Sequence, residues 1–229
     1  MTKLFILHGW TYQTATWDVL RKLLSERGID YEFLLIPGLT DGTNPSWTLD
    51  TYVEWLKEKT AKYDKVILYG HSNGGRISLA FTAKYPDKVT RLILEDSAGI
   101  PPRGLRRLKR DAFRIGAQTI GTFVRFEKLR GVFRKAIRAD DYANATPEMR
   151  KTMSNLAAIN LGTILDQIMC PTLIIWGAGD TTTPLIDGEL MHAGIKNSRM
   201  HVIPDARHSP HITHPKELAD LIEAEVKAV

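Results

Sequence analysis

The feature that most constrains the fold is a short strand, a tight serine-containing turn and a helix that follow one another directly. Residues 65–69 read Lys-Val-Ile-Leu-Tyr, residues 70–74 read Gly-His-Ser-Asn-Gly, and residues 74–85 carry apolar side chains at helical spacing up to Pro86. A serine on so sharp a turn projects its hydroxyl clear of the sheet, and Gly70 and Gly74 avoid clashes within the bend. The pattern predicts a nucleophilic Ser72, and a plain glycine-rich turn is the alternative.

Strand and helix patterns alternate along most of the chain. Short apolar runs occupy 4–7, 31–36, 65–69, 89–94, 172–176 and 200–203, and helical spacing recurs at 16–27, 49–56, 74–85, 185–192 and 215–229. This alternation predicts an α/β protein whose mostly parallel sheet has helices on both faces. Residues 97–165 interrupt the alternation with apolar residues at helical spacing only. We therefore expect one core domain, 1–96 and 166–229, with a helical cap inserted at 97–165.

Composition limits the class of protein. The chain has 229 residues, 43% hydrophobic and 25% charged, which is enough for one domain with a substantial core. No run of about 18 apolar residues occurs, so no membrane span is expected, and the N-terminal apolar run is too short for a signal peptide. The single cysteine, Cys170, allows no internal disulfide and favours a cytoplasmic location.

Positive charge is concentrated in one part of the chain. Residues 97–151 contain fourteen lysines and arginines against five acidic residues, so this segment carries +9 and the rest of the chain −4. We interpret the segment as the solvated outer faces of amphipathic helices. Steering of anionic ligands is the next interpretation, and nucleic-acid binding is weaker because the aromatic residues fall at core-like spacing.

Two loops downstream of Ser72 contain the residues that a serine nucleophile needs. A serine requires a base, and the base requires an acid that orients it. On a parallel sheet these groups lie in loops at the carboxyl ends of the strands. One such loop, after 172–176, contains Asp180, and the other, after 200–203, contains His208. The order serine, acid, histidine is that of hydrolases with a serine on a strand-to-helix turn.

Four motifs together resemble the α/β-hydrolase superfamily. They are His8-Gly9-Trp10, the Gly70–Gly74 turn, the Trp-Gly-x-x-Asp-x-x-x-Pro block at Trp176–Pro184, and Pro204–His208, which resembles the Pro-x-x-Gly-His block. The resemblance covers the whole chain except the insertion. Two departures are visible: the first two strands of the family sheet are missing, so about six strands are expected, and Arg207 stands where the family usually has glycine.

The resemblance implies a role for each matched residue. Ser72 corresponds to the nucleophile, His208 to the general base and acid, and Asp180 to the carboxylate that orients the imidazole. The backbone N–H groups of Trp10 and Asn73 correspond to the oxyanion hole. No cofactor is implied.

Other residues compete for these roles. Asp96, at the end of the strand 89–94, is an alternative acid, although a strand-end cap is the simpler interpretation. His211 and His214 lie near His208 in sequence, but His214 precedes Pro215 and is typical of a helix start. His71 is interpreted as a neighbour of the turn, and His8 as a brace for the oxyanion loop. A metal site is not expected, because the histidines lack metal-binding spacing and no cysteine pair exists.

The function implied by the resemblance is hydrolysis of small-molecule esters with small to medium acyl chains, through an acyl-enzyme on Ser72. The same residues on this fold also hydrolyse a lactone, an amide or a C–C bond, or act as a cofactor-free perhydrolase, and the sequence does not separate these reactions. A non-catalytic ligand-binding protein of the same fold is the alternative from another class. No nucleic-acid partner is expected, and the oligomeric state is not predicted.

Overall fold

A single parallel sheet organises the protein. The structure is a computed structural model that describes residues 2–11, 13–39, 46–101 and 145–229. The sheet order is β2-β1-β3-β4-β5-β6, and every pairing is parallel. Its strands are β1 (Lys3–Leu7), β2 (Tyr31–Leu34), β3 (Val66–His71), β4 (Val89–Glu95), β5 (Thr172–Gly177) and β6 (Ser198–Ile203). The α/β class and the expected six strands are confirmed.

Successive side chains of a strand enter opposite cores, which explains the continuous apolar runs in the sequence. In β1, Phe5 and Leu7 pack into one core, whereas Leu4 and Ile6 pack into the other. All four side chains are at most 1% exposed. A parallel sheet covered on both faces requires this pattern, and each buried Leu, Ile or Phe contributes about 1.5–3 kcal/mol.

Helices cover both faces of the sheet. They are α1 (Asp18–Glu26), α2 (Leu49–Lys59), α3 (Asn73–Lys84), α4 (Pro147–Ala158), α5 (Leu185–Gly194), α6 (Pro210–Thr213) and α7 (Pro215–Lys227). Helices α2, α3, α4 and α5 pack into the core on one face, and α1 and α7 into the core on the other. Among the described residues, no helix combines the length and apolar character needed to cross a bilayer.

Local signals explain where several helices begin and end. The Thr48 side chain caps α2 by accepting a hydrogen bond of 3.2 Å from the Thr51 N–H. The helix predicted at 16–27 starts as a 3₁₀ turn, Thr14–Trp17, and continues as α1. It stops before Gly28, whose φ of +69° is readily adopted only by glycine.

The predicted insertion is described at its two ends, residues 97–101 and 145–165. The second end contains α4 and two short 3₁₀ turns, Leu161–Thr163 and Leu165–Gln167. Met149 and Leu156 of α4 are buried in the same core as α3. The helices predicted within 102–144 lie outside the described residues, so the division into core and cap stays a prediction.

Candidate active site

Ser72 forms the sharp turn between β3 and α3. Its backbone adopts φ 50° and ψ −113°, a region that residues other than glycine rarely occupy. Two backbone hydrogen bonds hold it: the Ser72 N–H donates to the Glu95 carbonyl at 3.0 Å, and the Ala98 N–H donates to the Ser72 carbonyl at 2.9 Å. The end of β4 and the residues after it therefore hold the strained turn in place. The predicted projection of the Ser72 hydroxyl from the sheet requires a turn that is fixed in this way.

Close backbone contacts explain the two glycines of the turn. A Cβ atom on Gly70 would lie 2.6 Å from the Gly75 backbone, and one on Gly74 would lie 2.2 Å from the Leu7 carbonyl oxygen. Both distances are shorter than any real side chain tolerates. The turn thus packs directly against the end of β1.

The structure brings Ser72, Asp180 and His208 together at the carboxyl ends of the strands. His208 Nε2 lies 3.1 Å from Ser72 Oγ, and His208 Nδ1 lies 2.7 Å from Asp180 Oδ2. The carboxylate can only accept, so Nδ1 carries the ring proton and Nε2 accepts from the serine hydroxyl in the neutral ring. All three side chains are buried. This is the arrangement of a serine nucleophile, a base and an orienting acid.

Hydrogen bonds fix the Asp180 carboxylate in place. Its Oδ1 accepts from the Thr182 and Thr183 N–H groups at 2.7 and 3.2 Å, and its Oδ2 accepts from the Thr183 hydroxyl at 2.7 Å. The same hydroxyl lies 3.2 Å from His208 Nδ1. The contribution of Thr183 was not predicted from sequence, although its position three residues after Asp180 in a turn is typical of such side chains.

Asp96, the alternative acid, has a different set of contacts. Its Oδ1 accepts from the Gly177 N–H at 2.9 Å, and its backbone carbonyl oxygen lies 3.0 Å from Thr183 Oγ1, whose single proton goes to Asp180 at 2.7 Å. Its φ of +41° is unusual for a non-glycine residue. Asp96 thereby connects the ends of β4 and β5, whereas Asp180 makes the direct hydrogen bond to His208.

The loop after β1 lies against Ser72. A Cβ atom on Gly9 would lie 3.1 Å from Ser72 Cβ, so residue 9 must be small for the loop to approach. His8 Nδ1 donates to the Gly9 carbonyl at 2.7 Å, and His8 Nε2 accepts from the Ile36 N–H at 3.2 Å. Burial lowers the pKa of His8 to about 4, so the ring stays neutral, as these two contacts require.

The backbone N–H of Trp10 belongs to this loop, and that of Asn73 begins α3. A helix N-terminus carries partial positive charge, so the N–H of Asn73 is placed to attract a negatively charged oxygen. Beside the loop opens a cavity of about 280 Å³, and the described residues of its wall, which include Trp10, His71 and Ser209, contain no lysine, arginine, aspartate or glutamate.

A second buried cluster forms around Glu95, close to His71. Glu95 accepts hydrogen bonds from the Tyr69 hydroxyl at 2.6 Å, the His211 N–H at 2.7 Å and His211 Nδ1 at 2.9 Å. Burial by itself raises the pKa of Glu95, but attraction to His211 and these hydrogen bonds outweigh burial and lower that pKa to about 2. The His211 ring stacks on Trp17, with centroids 3.8 Å apart. Sequence reasoning gave Glu95 no role.

His71 connects the serine turn to the loop that contains His208. Its Nε2 lies 2.8 Å from the His208 carbonyl oxygen, so Nε2 donates. Burial lowers the pKa of His71 well below its ordinary value, and the ring is therefore neutral. His71 Nδ1 is buried and has no hydrogen-bond partner in the described part of the chain.

Arg207 and His214 both lie outside the contacts that surround Ser72. The Arg207 side chain is exposed, and its backbone does not take a positive φ, so the missing glycine leaves the serine–histidine contact intact. His214 immediately precedes α7 and contacts Asp205 at 3.1 Å. Its predicted place at a helix start is confirmed.

Two groups of buried side chains have the donor types that transition metals prefer. In one, His71, Asp96 and His208 bring ligand atoms within 4.8 Å of one another, and in the other His71, Glu95 and His211 do so. His208 and Glu95 already use these atoms in the hydrogen bonds described above. A metal ion would have to displace those hydrogen bonds.

Comparison with known proteins agrees with this geometry. The family model described as alpha/beta hydrolase fold matches residues 4–215. The chain is 27% identical to a pimeloyl-(acyl-carrier protein) methyl ester esterase of Aromatoleum aromaticum, over 98% of each protein. It is 26% identical to a putative 2-succinyl-6-hydroxy-2,4-cyclohexadiene-1-carboxylate synthase of Bacillus subtilis, over 94% of this chain and 87% of that one.

Among solved structures, a bromoperoxidase from Bacillus anthracis superposes with a TM-score of 0.78 at 20% identity, covering 99% of this chain and 92% of that one. At this identity the likeness concerns the fold alone. The family match extends from β1 to the start of α7 and so includes every motif that lines the site. The chain therefore belongs to the α/β-hydrolase family and is an enzyme of the hydrolase class.

Proposed function

We propose that the protein hydrolyses carboxylic esters of small molecules through an acyl-enzyme on Ser72. The observation that carries the proposal is the chain of two contacts, 3.1 Å from Ser72 Oγ to His208 Nε2 and 2.7 Å from His208 Nδ1 to Asp180 Oδ2. Free serine is a weak nucleophile, and such a chain activates it. A non-catalytic binding protein has no need to hold these three side chains at hydrogen-bond distance.

In the proposed reaction, Ser72 Oγ attacks the ester carbonyl while His208 takes the hydroxyl proton. The N–H groups of Trp10 and Asn73 donate to the oxygen that becomes negative. His208 then gives its proton to the departing alcohol, which leaves the acyl group on Ser72. Water attacks this acyl group, with His208 again as base, and the acid and free serine are released. Asp180 holds the imidazole in the required tautomer throughout.

Names of similar proteins support the ester as substrate. The relative from Aromatoleum aromaticum is named as a methyl ester esterase, and a human relative, 25% identical over 72% of this chain, is named as a serine hydrolase. We further propose that residues 97–165 form a cap over the site and select the acyl group, because this insertion follows directly after the β4 end that supports Ser72.

Replacement of the nucleophile tests the proposal. We expect Ser72→Ala to lower kcat/KM on a chromogenic short-chain ester by about four orders of magnitude or more, and His208→Ala to be similarly severe, because the residues act as a unit. Fluorophosphonate should label the wild type and not Ser72→Ala. Ser25→Ala is the matched control, since Ser25 is exposed on α1 and should stay without effect. Retention of substantial turnover by Ser72→Ala contradicts the proposal.

A panel of reactions tests the substrate class. Wild-type rates are measured on an ester, a lactone and a diketone that offer acyl groups of similar size. Higher kcat/KM for the ester is the expected result. Preference for the lactone or the diketone would keep the Ser72 nucleophile and replace the proposed ester chemistry.

A further inference from the structure

A buried arginine close to Ser72 forms no ion pair with a carboxylate of the described residues. Arg76 lies in the first turn of α3, and only 7% of its surface is exposed. Its Nη1 donates to Asn73 Oδ1 at 2.9 Å, whereas its Nε is buried without a hydrogen-bond partner in the described part of the chain. Within residues 2–101 and 145–229, so far as they are described, no carboxylate forms an ion pair with it.

Burial of an arginine destabilises the fold unless an anion or another polar partner compensates for the lost hydration. A cation removed from water loses several kcal/mol of hydration, and an unpaired one remains destabilising. Burial lowers the pKa of Arg76 to about 10, which still leaves the guanidinium charged at neutral pH. An apolar residue would avoid this cost, so a charged arginine buried at this position needs an anion to offset it.

Arg76 forms part of the wall of a cavity of about 150 Å³. The cavity lies between the end of β4, the end of α4 and the loop after β5, and its lining includes Ala98, Ile159 and Thr183. Two of these residues contact the catalytic residues directly. The Ala98 N–H donates to the Ser72 carbonyl at 2.9 Å, and the Thr183 hydroxyl donates to Asp180 at 2.7 Å. The cavity is therefore one residue away from both Ser72 and Asp180.

We infer that this cavity is a subsite for a carboxylate at the far end of the substrate's acyl group, with Arg76 as its anchor. The planar guanidinium fork matches a carboxylate. A phosphate dianion fits less well, because Arg76 is the one cation among the described residues of the cavity wall, which also include Asp187. The volume suits a short chain. The inference rests on the proposed ester hydrolysis and assigns as substrates the half-esters of short dicarboxylic acids.

Paired substrates test this subsite. Monomethyl succinate, glutarate and adipate are compared with methyl butanoate, pentanoate and hexanoate, in which a methyl group replaces the carboxylate. We expect wild-type kcat/KM to be higher for the half-ester than for its partner at one chain length or more. Arg76→Met should lower this ratio by about 10- to 100-fold, the loss typical of a charge-assisted hydrogen bond to a buried partner.

Two further variants control this measurement. Arg76→Lys keeps the charge and loses the fork, so the ratio should fall roughly threefold to tenfold, and this variant decides the question if Arg76→Met fails to fold. Lys22→Met makes the same change in net charge at a side chain that is 77% exposed, and it should leave the ratio as in the wild type. Equal losses for both members of a pair would overturn the inference.

Binding to Ser72→Ala separates this inference from the proposed function. Calorimetry with monomethyl glutarate and with methyl pentanoate needs no turnover, and the half-ester should bind at least tenfold more tightly in the Ser72→Ala protein. The added Arg76→Lys change should remove most of this difference. If the wild type hydrolyses no ester, the proposed function fails while binding still decides the subsite. Equal binding of the two probes rejects the subsite whatever the turnover.

Discussion

Three acidic side chains meet at the carboxyl ends of β4 and β5, and their hydrogen bonds give each a different task. Asp180 accepts from His208 Nδ1 at 2.7 Å. Asp96 accepts from the Gly177 N–H at 2.9 Å and so connects two strands. Glu95 accepts from His211 and Tyr69 and so holds the start of α6. The three carboxylates thus differ in what they hold, because each accepts from a different donor. Asp180 contacts the His208 ring, Asp96 joins two strands, and Glu95 attaches a short helix.

The ranking of two aspartates tests the assignment of the acid. Asp180→Asn places an amide against His208 Nδ1 and favours the wrong tautomer, so we expect kcat on an ester to fall by about four orders of magnitude. Asp96→Asn keeps an oxygen for the Gly177 N–H and should cost far less. Steady-state kinetics on both variants, with circular dichroism as a check of folding, makes the comparison. The reverse order would move the catalytic acid to Asp96.

The pH dependence of stability tests the buried carboxylate of Glu95. Its folded pKa, about 2, lies below the ordinary 4.5. A depressed carboxylate pKa stabilises the fold above the unfolded pKa, and this stabilisation is lost as the pH falls toward the folded value. We expect Glu95→Gln to lower the free energy of unfolding by on the order of 3 kcal/mol at pH 7, and the difference from the wild type to shrink below about pH 4.5.

Urea unfolding at a series of pH values measures this difference. Glu217→Gln is the control, because Glu217 is 41% exposed and its one ionic partner among the described residues is the half-exposed His201. It should change stability little at any pH. A Glu95→Gln effect that does not vary between pH 7 and pH 3 would show that shape, and not charge, determines the contribution of this side chain.

Sequence motifs predicted the side chains that meet at the candidate site, but they did not predict the residues that hold the surrounding loops and helices in place. Ser72, Asp180 and His208 were predicted because each occurs in a local pattern, and the structure brings the three side chains within hydrogen-bond distance. Glu95 was missed because its role depends on the pairing of β3 with β4 and on the packing of α6, more than a hundred residues away. Nothing local distinguishes it from a charged residue at the end of any strand.

At the scale of elements, an ion-pair cluster attaches α7 to two strands. Glu225 of α7 is 1% exposed, and its carboxylate pairs with Arg91 of β4 at 2.8 Å and with Arg199 of β6. A buried carboxylate between two cations should make a larger contribution than an exposed pair. It also fixes the end of a helix whose apolar residues already pack against the sheet.

Loss of this carboxylate should destabilise the protein. We expect Glu225→Gln to lower the free energy of unfolding by about 1–3 kcal/mol, since it removes the charge from at least one buried hydrogen bond. Glu26→Gln is the control, because Glu26 is 57% exposed and its pair with Lys22 is long, at 3.8 Å. Chemical denaturation of both variants measures the difference. Equal values for the two would mean that the cluster contributes no more than a surface pair.

Periodicity predicted long elements and missed short ones. All six strands and the longer helices were expected from apolar spacing, because burial on one or both faces imposes that spacing. The four-residue α6 was not expected. A helix so short is not stable by itself, and its Pro210–Thr213 segment is held by the contacts of His211 with Glu95 and Trp17.

At the scale of the whole molecule, the basic segment 97–151 and the buried Arg76 are two separate sources of positive charge. Residues 97–151 carry fourteen basic and five acidic side chains, and most of this segment lies outside the described residues. The cavity that Arg76 lines is bordered by Ile100, which belongs to this segment, and by Ala157, which follows it in α4. Solvated charges act over a distance set by salt, whereas a buried cation acts at contact and is screened much less. The two contributions can therefore be measured separately.

The salt dependence of kcat/KM separates steering from binding. If the basic segment faces the mouth of the site, kcat/KM for monomethyl glutarate should fall as the Debye length drops from about 30 Å at 0.01 M salt to about 3 Å at 1 M, while methyl pentanoate stays nearly flat. Neutralising Arg106, Arg107, Lys109 and Arg110 to glutamine should flatten the first slope. Arg76→Met should lower the half-ester rate at every salt concentration and leave that slope. Equal slopes for both substrates in the wild type would reject steering and leave the segment as a solvated outer face.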